Sequence, residues 1–362
     1  ILITHDIGVV SETCDYVYVL RNGKHIEQGE TIQVLEKPTQ EYTRSLMASM
    51  PLIEKRLHRF ALPNEDKMEG MTNHLGYLQE ERKENLYLNN TILKVNNISK
   101  TFYTSSTLFK RKEAFKAVRN VSFSVNRGET VGIVGESGSG KSTIGRMILG
   151  LEDITEGSII YNGRDLKSIT STEDRLAHCL SIQCIFQDPY SSLNPRMTAG
   201  ENITYGLKVH KLIDSKNAKS LAQDLMTLVG LQRHDADKLP HAFSGGERQR
   251  IGIARALGYR PDFIFCDEPT SALDVSVQAN LLNLLKDLQE QFSLTLLFVS
   301  HDLAVIRQMC DQVIVMKDGE ALENGSNDSI FEHPKHLYTK SLLKAMPKFK
   351  GIAKQVGFND GK

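Results

Sequence analysis

The chain has 362 residues, and its 44 lysines and arginines equal its 44 aspartates and glutamates, so the formal net charge at pH 7 is zero. This balance argues against a nucleic-acid partner, because nucleic-acid-binding proteins usually carry a basic excess. Apolar residues make up 40% and charged residues 24% of the chain, as in an ordinary globular protein. We expect no membrane span, no secretory leader and no disulfide scaffold, since no apolar run is long enough and the five cysteines are scattered.

An internal repeat relates the two ends of the chain. Residues 1–51 match residues 297–347 without a gap, and His5 and His301 are one of the identical pairs. The spacing of the copies is far too long for a solenoid. We therefore expect residues 1–51 to be the C-terminal remnant of a first domain, which makes the chain an N-terminally truncated piece of a tandem protein.

The other segments follow from this repeat. Residues 52–90 are rich in charge and lack a sustained apolar period, so we expect a linker there. Residues 91–325 form the second and complete copy. Residues 348–362 form a polar tail that we expect to fray.

A glycine-rich loop follows a predicted strand in the complete copy. The strand Thr130–Val134 leads into a GxxxxGK[ST] motif, and an apolar helix from Ile144 to Leu151 comes next. Backbone N–H groups of such a loop and the helix N-terminus surround phosphate oxygens. Lys141 would reach the β- and γ-phosphates, and the Ser142 hydroxyl would ligate Mg²⁺. The predicted phosphate-binding residues are Gly135, Glu136, Ser137, Gly138, Ser139, Gly140, Lys141, Ser142 and Thr143.

Two acidic residues end another buried strand. The run Phe263–Glu268 has four apolar residues before Asp267 and Glu268, as is typical of a strand that is buried on both faces. Asp267 would hold Mg²⁺ through its water shell, and Glu268 would polarise an attacking water. This pattern is weak alone and strong beside a phosphate loop.

A second anion site is predicted at another helix start. Ser244, Gly245, Gly246 and Glu247 precede a helical segment at Ile251–Leu257. A serine with two glycines at a helix N-terminus can bind an anion. Because one nucleotide does not need two phosphate cradles, we infer that this one serves a nucleotide held by a partner.

With these three motifs in this order, the chain resembles the nucleotide-binding domain of ATP-binding cassette (ABC) transporters. The resemblance covers about residues 91–325 in full and residues 1–29 as a fragment. It identifies the phosphate loop as the Walker A motif and Phe263–Glu268 as Walker B with its catalytic glutamate. Phe243 and Glu247 replace the leucine and glutamine that are usual in the signature motif.

The family fold that this resemblance implies is an α/β P-loop NTPase core with a helical subdomain, here at about residues 190–250. Two such domains dimerise head to tail, with each ATP between one Walker A motif and the partner's signature motif. The implied partner is therefore a second ABC ATPase domain, and the implied cofactors are ATP and Mg²⁺.

The resemblance also implies roles for single residues. Gln187 corresponds to the Q-loop glutamine, Asp274 lies in the D-loop, and His301 corresponds to the switch histidine. Phe102 is placed like the aromatic residue that stacks on adenine, with Tyr103 as the fallback. The implied catalytic residues are Glu268, His301 and Gln187. The implied metal ligands are Ser142, Gln187 and Asp267. The implied nucleotide contacts outside the phosphate loop are Phe102, Ser244, Gly245, Gly246 and Asp274.

Two further segments narrow the resemblance. Residues 188–197 and a C-terminal extension at residues 326–347 are similar to oligopeptide/dipeptide importer ATPases, a group that also serves nickel and glutathione. Tandem fusion of two ATPases occurs in the glutathione-type members. The positions of the extension that carry the similarity are His333, Pro334, Tyr338, Thr339, Leu342, Leu343, Met346 and Pro347.

The subfamily implies an ATPase that energises uptake of peptides or related small solutes through separate integral membrane permease subunits, with an external solute-binding protein acting indirectly. It also implies a peripheral position on the cytoplasmic face of the inner (plasma) membrane. Two alternatives stay open: a soluble ABC ATPase that is not coupled to transport, and an inactive truncated fragment. The gap between Gln187 and Ser244 is too short for the long coiled coil of repair ATPases.

Overall fold

The structure is a computed structural model, and it describes residues 1–4, 7–51, 56, 59–60, 90–103 and 114–346. His5, most of the predicted linker and the predicted tail lie outside the described residues. Within the described ranges, no helix combines the length and the apolar character that crossing a bilayer requires.

A six-stranded sheet forms the centre of the second copy. Its strands are β5 (Thr130–Val134), β8 (Ile182–Ile185), β9 (Phe263–Asp267), β10 (Thr295–Ser300), β11 (Gln312–Lys317) and β12 (Glu320–Ser326). They lie in the order β12-β11-β5-β10-β9-β8. All neighbours run parallel except β12, which is antiparallel to β11. Every residue of β5 and β10 is buried, as expected for parallel strands covered on both faces.

A four-stranded antiparallel sheet packs beside the first one. It consists of β3 (Thr91–Tyr103), β4 (Ala114–Asn126), β6 (Glu156–Tyr161) and β7 (Arg164–Asp165). Its order is β4-β3-β6-β7. One apolar cluster joins both sheets, because Val95 and Val121 share it with Ile133 and Phe265.

The helix that follows the phosphate loop lies directly on the parallel sheet. This helix, α4 (Lys141–Ile148), contributes the buried side chains of Ile144, Met147 and Ile148 to the shared cluster. A Cβ at Gly145 would lie 1.9 Å from Cζ of Phe265, so only a glycine permits this approach to β9. The close packing fixes the start of α4 next to the carboxyl end of β9.

The chain between β7 and β9 is mostly helical. Its helices are α5 (Thr172–Ser181), α6 (Pro189–Ser192), α7 (Ala199–Val209), α8 (Ser215–Leu228) and α9 (Gly245–Leu257), with short 3₁₀ turns at Leu166–Ser168, Arg233–Asp237 and Pro240–Ala242. Side chains of α7, α8 and α9 form a second apolar cluster with the core of the sheet, whereas α5 has no buried residue. Ile203, Met226 and Ile251 are fully buried where α7, α8 and α9 meet. The helical subdomain predicted at about residues 190–250 falls on α6 to α9, and its boundaries stay a prediction.

The C-terminal part of the second copy adds helices outside the sheet. They are α10 (Val275–Phe292), α11 (Leu303–Met309), α12 (Asn327–Glu332) and α13 (Leu337–Lys344). The guanidinium of Arg307 on α11 donates to Asn327, Asp328 and Glu332, at 2.6 to 2.8 Å. These bonds hold α12, the first helix of the predicted extension, against α11.

The N-terminal segment repeats the end of the second copy in three dimensions. Its elements are α1 (Ile7–Thr13), β1 (Tyr16–Arg21), β2 (Lys24–Glu30), α2 (Thr31–Glu36) and α3 (Glu41–Ala48). The β1–β2 hairpin has its register shift between Val19 and Leu20, and β11–β12 has one at the equivalent Val315 and Met316.

A buried aromatic residue lies inside the predicted linker. Phe60 is 3% exposed and belongs to the main apolar cluster. The side chain of Asn283 on α10 accepts from the Phe60 N–H at 2.9 Å and donates to the Phe60 carbonyl at 3.0 Å. Arg59 forms ion pairs with Asp287 and Glu290 at 2.7 and 2.9 Å. This part of the linker therefore contacts α10 specifically.

Candidate functional site

An open cavity of about 680 Å³ lies at the carboxyl ends of β5 and β9. This volume is within the range of small-molecule sites, and the ends of parallel strands are the usual place for ligands in such sheets. The cavity is lined by Phe102, Phe115, Ala117, Ser137, Gly138, Gly140, Lys141, Ser142, Thr143, Gln187, Glu268 and His301.

The phosphate loop turns sharply into α4 at a glycine. Gly140 has a φ of 97°, in the left-handed region, and a Cβ there would lie 2.5 Å from the carbonyl oxygen of Ala117. The first turn of α4 has no side-chain cap. Its backbone N–H groups therefore remain available to an anion in the cavity.

Lys141 points back into its own loop. Its Nζ atom donates to the carbonyl oxygens of Gly135 at 2.7 Å and Glu136 at 2.8 Å. Burial lowers the pKa of this ammonium group. An anion in the loop would be a better partner than the two carbonyls, because charge-assisted hydrogen bonds are stronger than those to neutral acceptors.

The two predicted metal-binding segments meet. The Ser142 hydroxyl donates to Oδ1 of Asp267 at 2.9 Å. Burial raises the pKa of the Asp267 carboxyl. A hydroxyl, a carboxylate and the nearby Gln187 amide are oxygen donors of the kind that Mg²⁺ prefers. No cluster of three or more His, Cys, Asp or Glu side chains suited to a metal occurs in the described ranges, and Mg²⁺ bound with phosphates needs few protein ligands.

Two of the predicted catalytic residues converge on one carboxylate oxygen of the third. Gln187 Nε2 donates to Oε2 of Glu268 at 3.2 Å, and Nδ1 of His301 lies 3.0 Å from the same atom. Glu268 has a φ of 46°, which is rare for a residue with a side chain. Its N–H donates to the carbonyl of Val299 at 3.0 Å, which helps to hold this backbone turn.

The predicted signature residues lie at the N-terminus of α9, and they do not line the cavity. Ser244 and Glu247 form a capping box, in which Glu247 Oε2 accepts from the Ser244 N–H at 2.8 Å. A Cβ at Gly246 would lie 2.3 Å from Val277, so α9 packs tightly against α10. Ser244, Gly245, Gly246 and the exposed Asp274 are not among the lining residues. The prediction that they serve a partner's nucleotide stays a prediction.

The helix that begins with the signature residues also contacts the Q-loop segment. Gln249 donates to the carbonyl of Phe186 at 3.0 Å. The guanidinium of Arg248 lies 3.8 Å from the ring centroid of Tyr190, and Tyr190 is 66% exposed. The exposed surface after Gln187 is thus connected directly to α9.

Sequence reasoning missed one aromatic residue of the cavity. Phe115 on β4 pairs with Phe102 on β3, and both rings line the cavity, whereas Tyr103 does not. Phe115 follows residues 104–113, so the sequence did not indicate its partner.

Comparison with known families identifies the chain's relatives. The family described as ABC transporter matches residues 118–271. The family described as oligopeptide/dipeptide transporter, C-terminal region, matches residues 26–74 and 322–357. These two matches correspond to the Walker motifs and to both copies of the extension.

Curated relatives show the same relationship over most of the chain. The glutathione import ATP-binding protein GsiA of Salmonella paratyphi A is 40% identical over 348 residues, which are 96% of this chain and 56% of that protein. The protein of the same name from Escherichia coli K12 is also 40% identical over 348 residues. The chain thus spans about half the length of the curated relatives it matches.

Solved structures share the fold of the second copy. The dimeric ATP-binding cassette MJ0796, bound to ADP and Pi, is 31% identical with a TM-score of 0.58, covering 65% of this chain and 98% of that one. The protein cbiO1 of Clostridium perfringens, part of the transporter complex cbiONQ, is 25% identical with a TM-score of 0.58, covering 68% and 92%. The predicted α/β P-loop fold is confirmed, and the chain belongs to the ABC transporter family as a nucleotide-binding domain with an oligopeptide/dipeptide transporter C-terminal region.

Proposed function

We propose that the chain binds ATP with Mg²⁺ and hydrolyses it as the ATP-binding part of an importer for glutathione, peptides or related small solutes. The observation that carries the proposal is the convergence of Gln187 and His301 on Oε2 of Glu268, at the mouth of the phosphate loop. The family of the chain and the names of its 40% identical relatives support the same activity.

ATP binding is assigned to the loop and the aromatic pair. Phe102 and Phe115 take the adenine ring, and the loop N–H groups take the phosphates. Lys141 leaves the carbonyls of Gly135 and Glu136 to contact the β- and γ-phosphates. The burial of Lys141 favours this exchange, because a phosphate supplies the negative charge that the two carbonyls lack.

Hydrolysis is assigned to the cluster around Glu268. Ser142 and Asp267 hold Mg²⁺, which when bound neutralises charge on the β- and γ-phosphates. The Glu268 carboxylate accepts a hydrogen bond from the attacking water and polarises it. His301 and Gln187, already within hydrogen-bonding distance of Glu268, orient that carboxylate and contact the γ-phosphate.

A composite site completes the proposal. The signature residues Ser244, Gly245 and Gly246 lie away from the cavity of their own chain, so they act on the nucleotide of a second ABC ATPase domain in a head-to-tail dimer. Residues 91–325 are the working domain, and residues 1–51 belong to a first domain of the same kind. The dimeric state of MJ0796 supports this arrangement.

Coupling to transport is assigned to the exposed surface around Tyr190, which follows Gln187 in the chain. Tyr190 is exposed and stacks on Arg248, so a permease subunit that presses on this surface would act on α9. The chain would then lie on the cytoplasmic face of the plasma membrane, and an external solute-binding protein would act only through the permease. The membership of cbiO1 in a transporter complex supports this position.

Steady-state ATP hydrolysis, measured against protein concentration with and without Mg²⁺, tests the proposal. We expect a Mg²⁺-dependent rate of ATP hydrolysis that rises more steeply than linearly with protein concentration, because each site is completed by two chains. Nucleotide binding without turnover at any concentration would indicate an incomplete fragment. A high rate of ATP hydrolysis per chain that does not depend on protein concentration would contradict the composite site.

A further inference from the structure

The extension that follows the second copy touches the phosphate loop. Tyr338 on α13 donates from its hydroxyl to Oε1 of Glu136 at 3.0 Å, and the two residues are 202 positions apart in the chain. Glu136 is the second residue of the phosphate loop, and its carbonyl accepts a hydrogen bond from Lys141 at 2.8 Å. A side chain of the extension is therefore bonded to the segment that releases Lys141 when a phosphate binds.

The position of Tyr338 is fixed from two other sides. Nζ of Lys317, at the end of β11, lies 4.6 Å from its ring centroid. The Glu323 carboxylate on β12 accepts from the N–H groups of Lys335 and His336 at 2.7 and 3.1 Å, which holds the turn before α13. Tyr338 thus reaches the loop from a rigid base.

The hydroxyl of Tyr338 stays protonated and can therefore donate to Glu136 at all times. Burial and the hydrogen bond to Glu136 raise the pKa of Tyr338 to about 12, so its hydroxyl keeps its proton at neutral pH. Glu136 carries a negative charge next to a loop that must accept phosphates, and like charges at short range repel. Ser137 lines the cavity, whereas Glu136 is not among the lining residues. Tyr338 is not a lining residue either, so its hydrogen bond holds the charge of Glu136 outside the cavity.

We propose that Tyr338 is a positioning residue for nucleotide binding, which holds the Glu136 carboxylate outside the phosphate loop and thereby links the extension to ATP affinity. The inference rests on the proposed function, since it concerns how tightly the same loop binds ATP. Through this bond the extension favours the loop conformation that binds phosphate.

The first copy provides a matched control. Tyr42 on α3 is the equivalent of Tyr338, and Arg21 lies 4.7 Å from its ring centroid, as Lys317 does for Tyr338. Glu27 accepts from the N–H groups of Thr39 and Gln40, as Glu323 does in the second copy. The side-chain surroundings are alike, but residues 1–51 contain no phosphate-loop motif.

Equilibrium titration of the full chain with a fluorescent ATP analogue tests the inference. We expect Tyr338→Phe to weaken binding about fivefold, since a hydrogen bond to a charged but solvent-exposed group is lost. Tyr42→Phe should leave the affinity unchanged. In the Glu136→Ala background, Tyr338→Phe should have no further effect, because the group it positions is gone. Far-ultraviolet circular dichroism would check that each variant is folded.

The outcomes separate the two proposals. If the unaltered chain binds no nucleotide, the proposed function fails and the inference fails with it. If the unaltered chain binds and Tyr338→Phe binds equally well, the inference alone is wrong. A loss of the same size in the presence and absence of the Glu136 side chain would also overturn it, because Tyr338 would then act through packing.

Discussion

The hydroxyl of Ser142 lies 2.9 Å from Oδ1 of Asp267, and this contact joins two motifs that are 125 residues apart in the chain. The motifs come together because α4 packs on Phe265 through Gly145, which fixes the start of the helix beside the end of β9. A packing contact between two residues that do not line the cavity therefore helps to set the spacing of two proposed metal ligands.

Replacing Asp267 by Asn should have opposite effects on the stability of the fold and on Mg²⁺-dependent ATP binding. Burial raises the pKa of Asp267, so its ionised form costs free energy in the folded chain when no cation is present. Without Mg²⁺, we expect Asp267→Asn to unfold at higher urea concentration than the unaltered chain, by a margin that grows as pH rises through the raised pKa. Mg²⁺-dependent ATP binding should fall about tenfold or more in calorimetric titrations. Equal urea midpoints at all pH values would contradict the first expectation.

Replacing Glu268 by Gln tests the proposed base. The amide keeps the hydrogen-bonding shape but polarises water poorly, so we expect turnover to fall about 100-fold or more with ATP affinity nearly unchanged. Glu173 on α5 is exposed, and Glu173→Gln is the matched control, for which turnover should be normal. The check is steady-state phosphate release together with nucleotide titration. Normal turnover in Glu268→Gln would remove the base from this position.

The aromatic pair distinguishes two candidates for the adenine contact. Phe102 and Phe115 line the cavity, whereas the adjacent Tyr103 is 65% exposed and does not. We expect Phe115→Ala and Phe102→Ala each to weaken ATP binding about tenfold, since aromatic stacking on a base is lost. Tyr103→Ala should change affinity by less than about twofold. A larger loss from Tyr103→Ala than from Phe102→Ala would reverse the assignment.

The contact between Asn283 and Phe60 predicts a stability effect. Asn283→Ala leaves the buried N–H and carbonyl of Phe60 without these partners, which should cost about 1–3 kcal/mol of unfolding free energy. Phe60→Ala should cost about 3 kcal/mol, through the cavity it leaves. Asn280 on the same helix donates to the carbonyl of Ser276, one turn earlier in its own helix, at 2.9 Å, so Asn280→Ala is the milder control. Urea unfolding measures all three, and equal effects of Asn283→Ala and Asn280→Ala would show that the segment does not depend on Asn283.

Lys286 beneath Phe60 predicts how stability depends on pH. Burial, together with the nearby charges of Arg56 and Arg59, lowers the pKa of this lysine from an ordinary value of 10.5 to about 8. Between these two values the unfolded chain keeps a proton that the folded chain has released. The contribution of Lys286 to the unfolding free energy therefore increases with pH across this window. Relative to Lys286→Met, the unaltered chain should become more stable from pH 8 to pH 10 in urea unfolding, and a constant difference would contradict the shift.

Local motifs made the core of the site predictable. Gly135–Thr143 and Phe263–Glu268 are each one continuous segment of the chain. Each lies beside or includes a short apolar run that predicts a buried strand, so the sequence places both motifs at strand ends. The roles expected for Gln187 and His301 came from resemblance to a family, and the structure brings both residues to Glu268.

Contacts between distant segments were not predictable in the same way. The pairing of Phe115 with Phe102 depends on the register of two strands across residues 104–113. Phe60 is a single aromatic residue in a charged segment, and no periodic pattern indicates its burial. Glu136 lies in the phosphate loop and Tyr338 in the C-terminal extension. Each segment was interpreted without the other, so the sequence did not predict the contact between them.

The hairpin and helices shared by the two copies keep one internal contact in both places. Glu27 and Glu323 each hold two backbone N–H groups of a turn that lies 12 to 13 residues later in the chain. Both bonds stay within the hairpin and its turn, although the strands around them differ in burial: Tyr18 and Leu20 on β1 are exposed, whereas their equivalents Ile314 and Met316 on β11 are buried. The same turn is thus held in two different surroundings, and the last helix can meet a different partner in each of them.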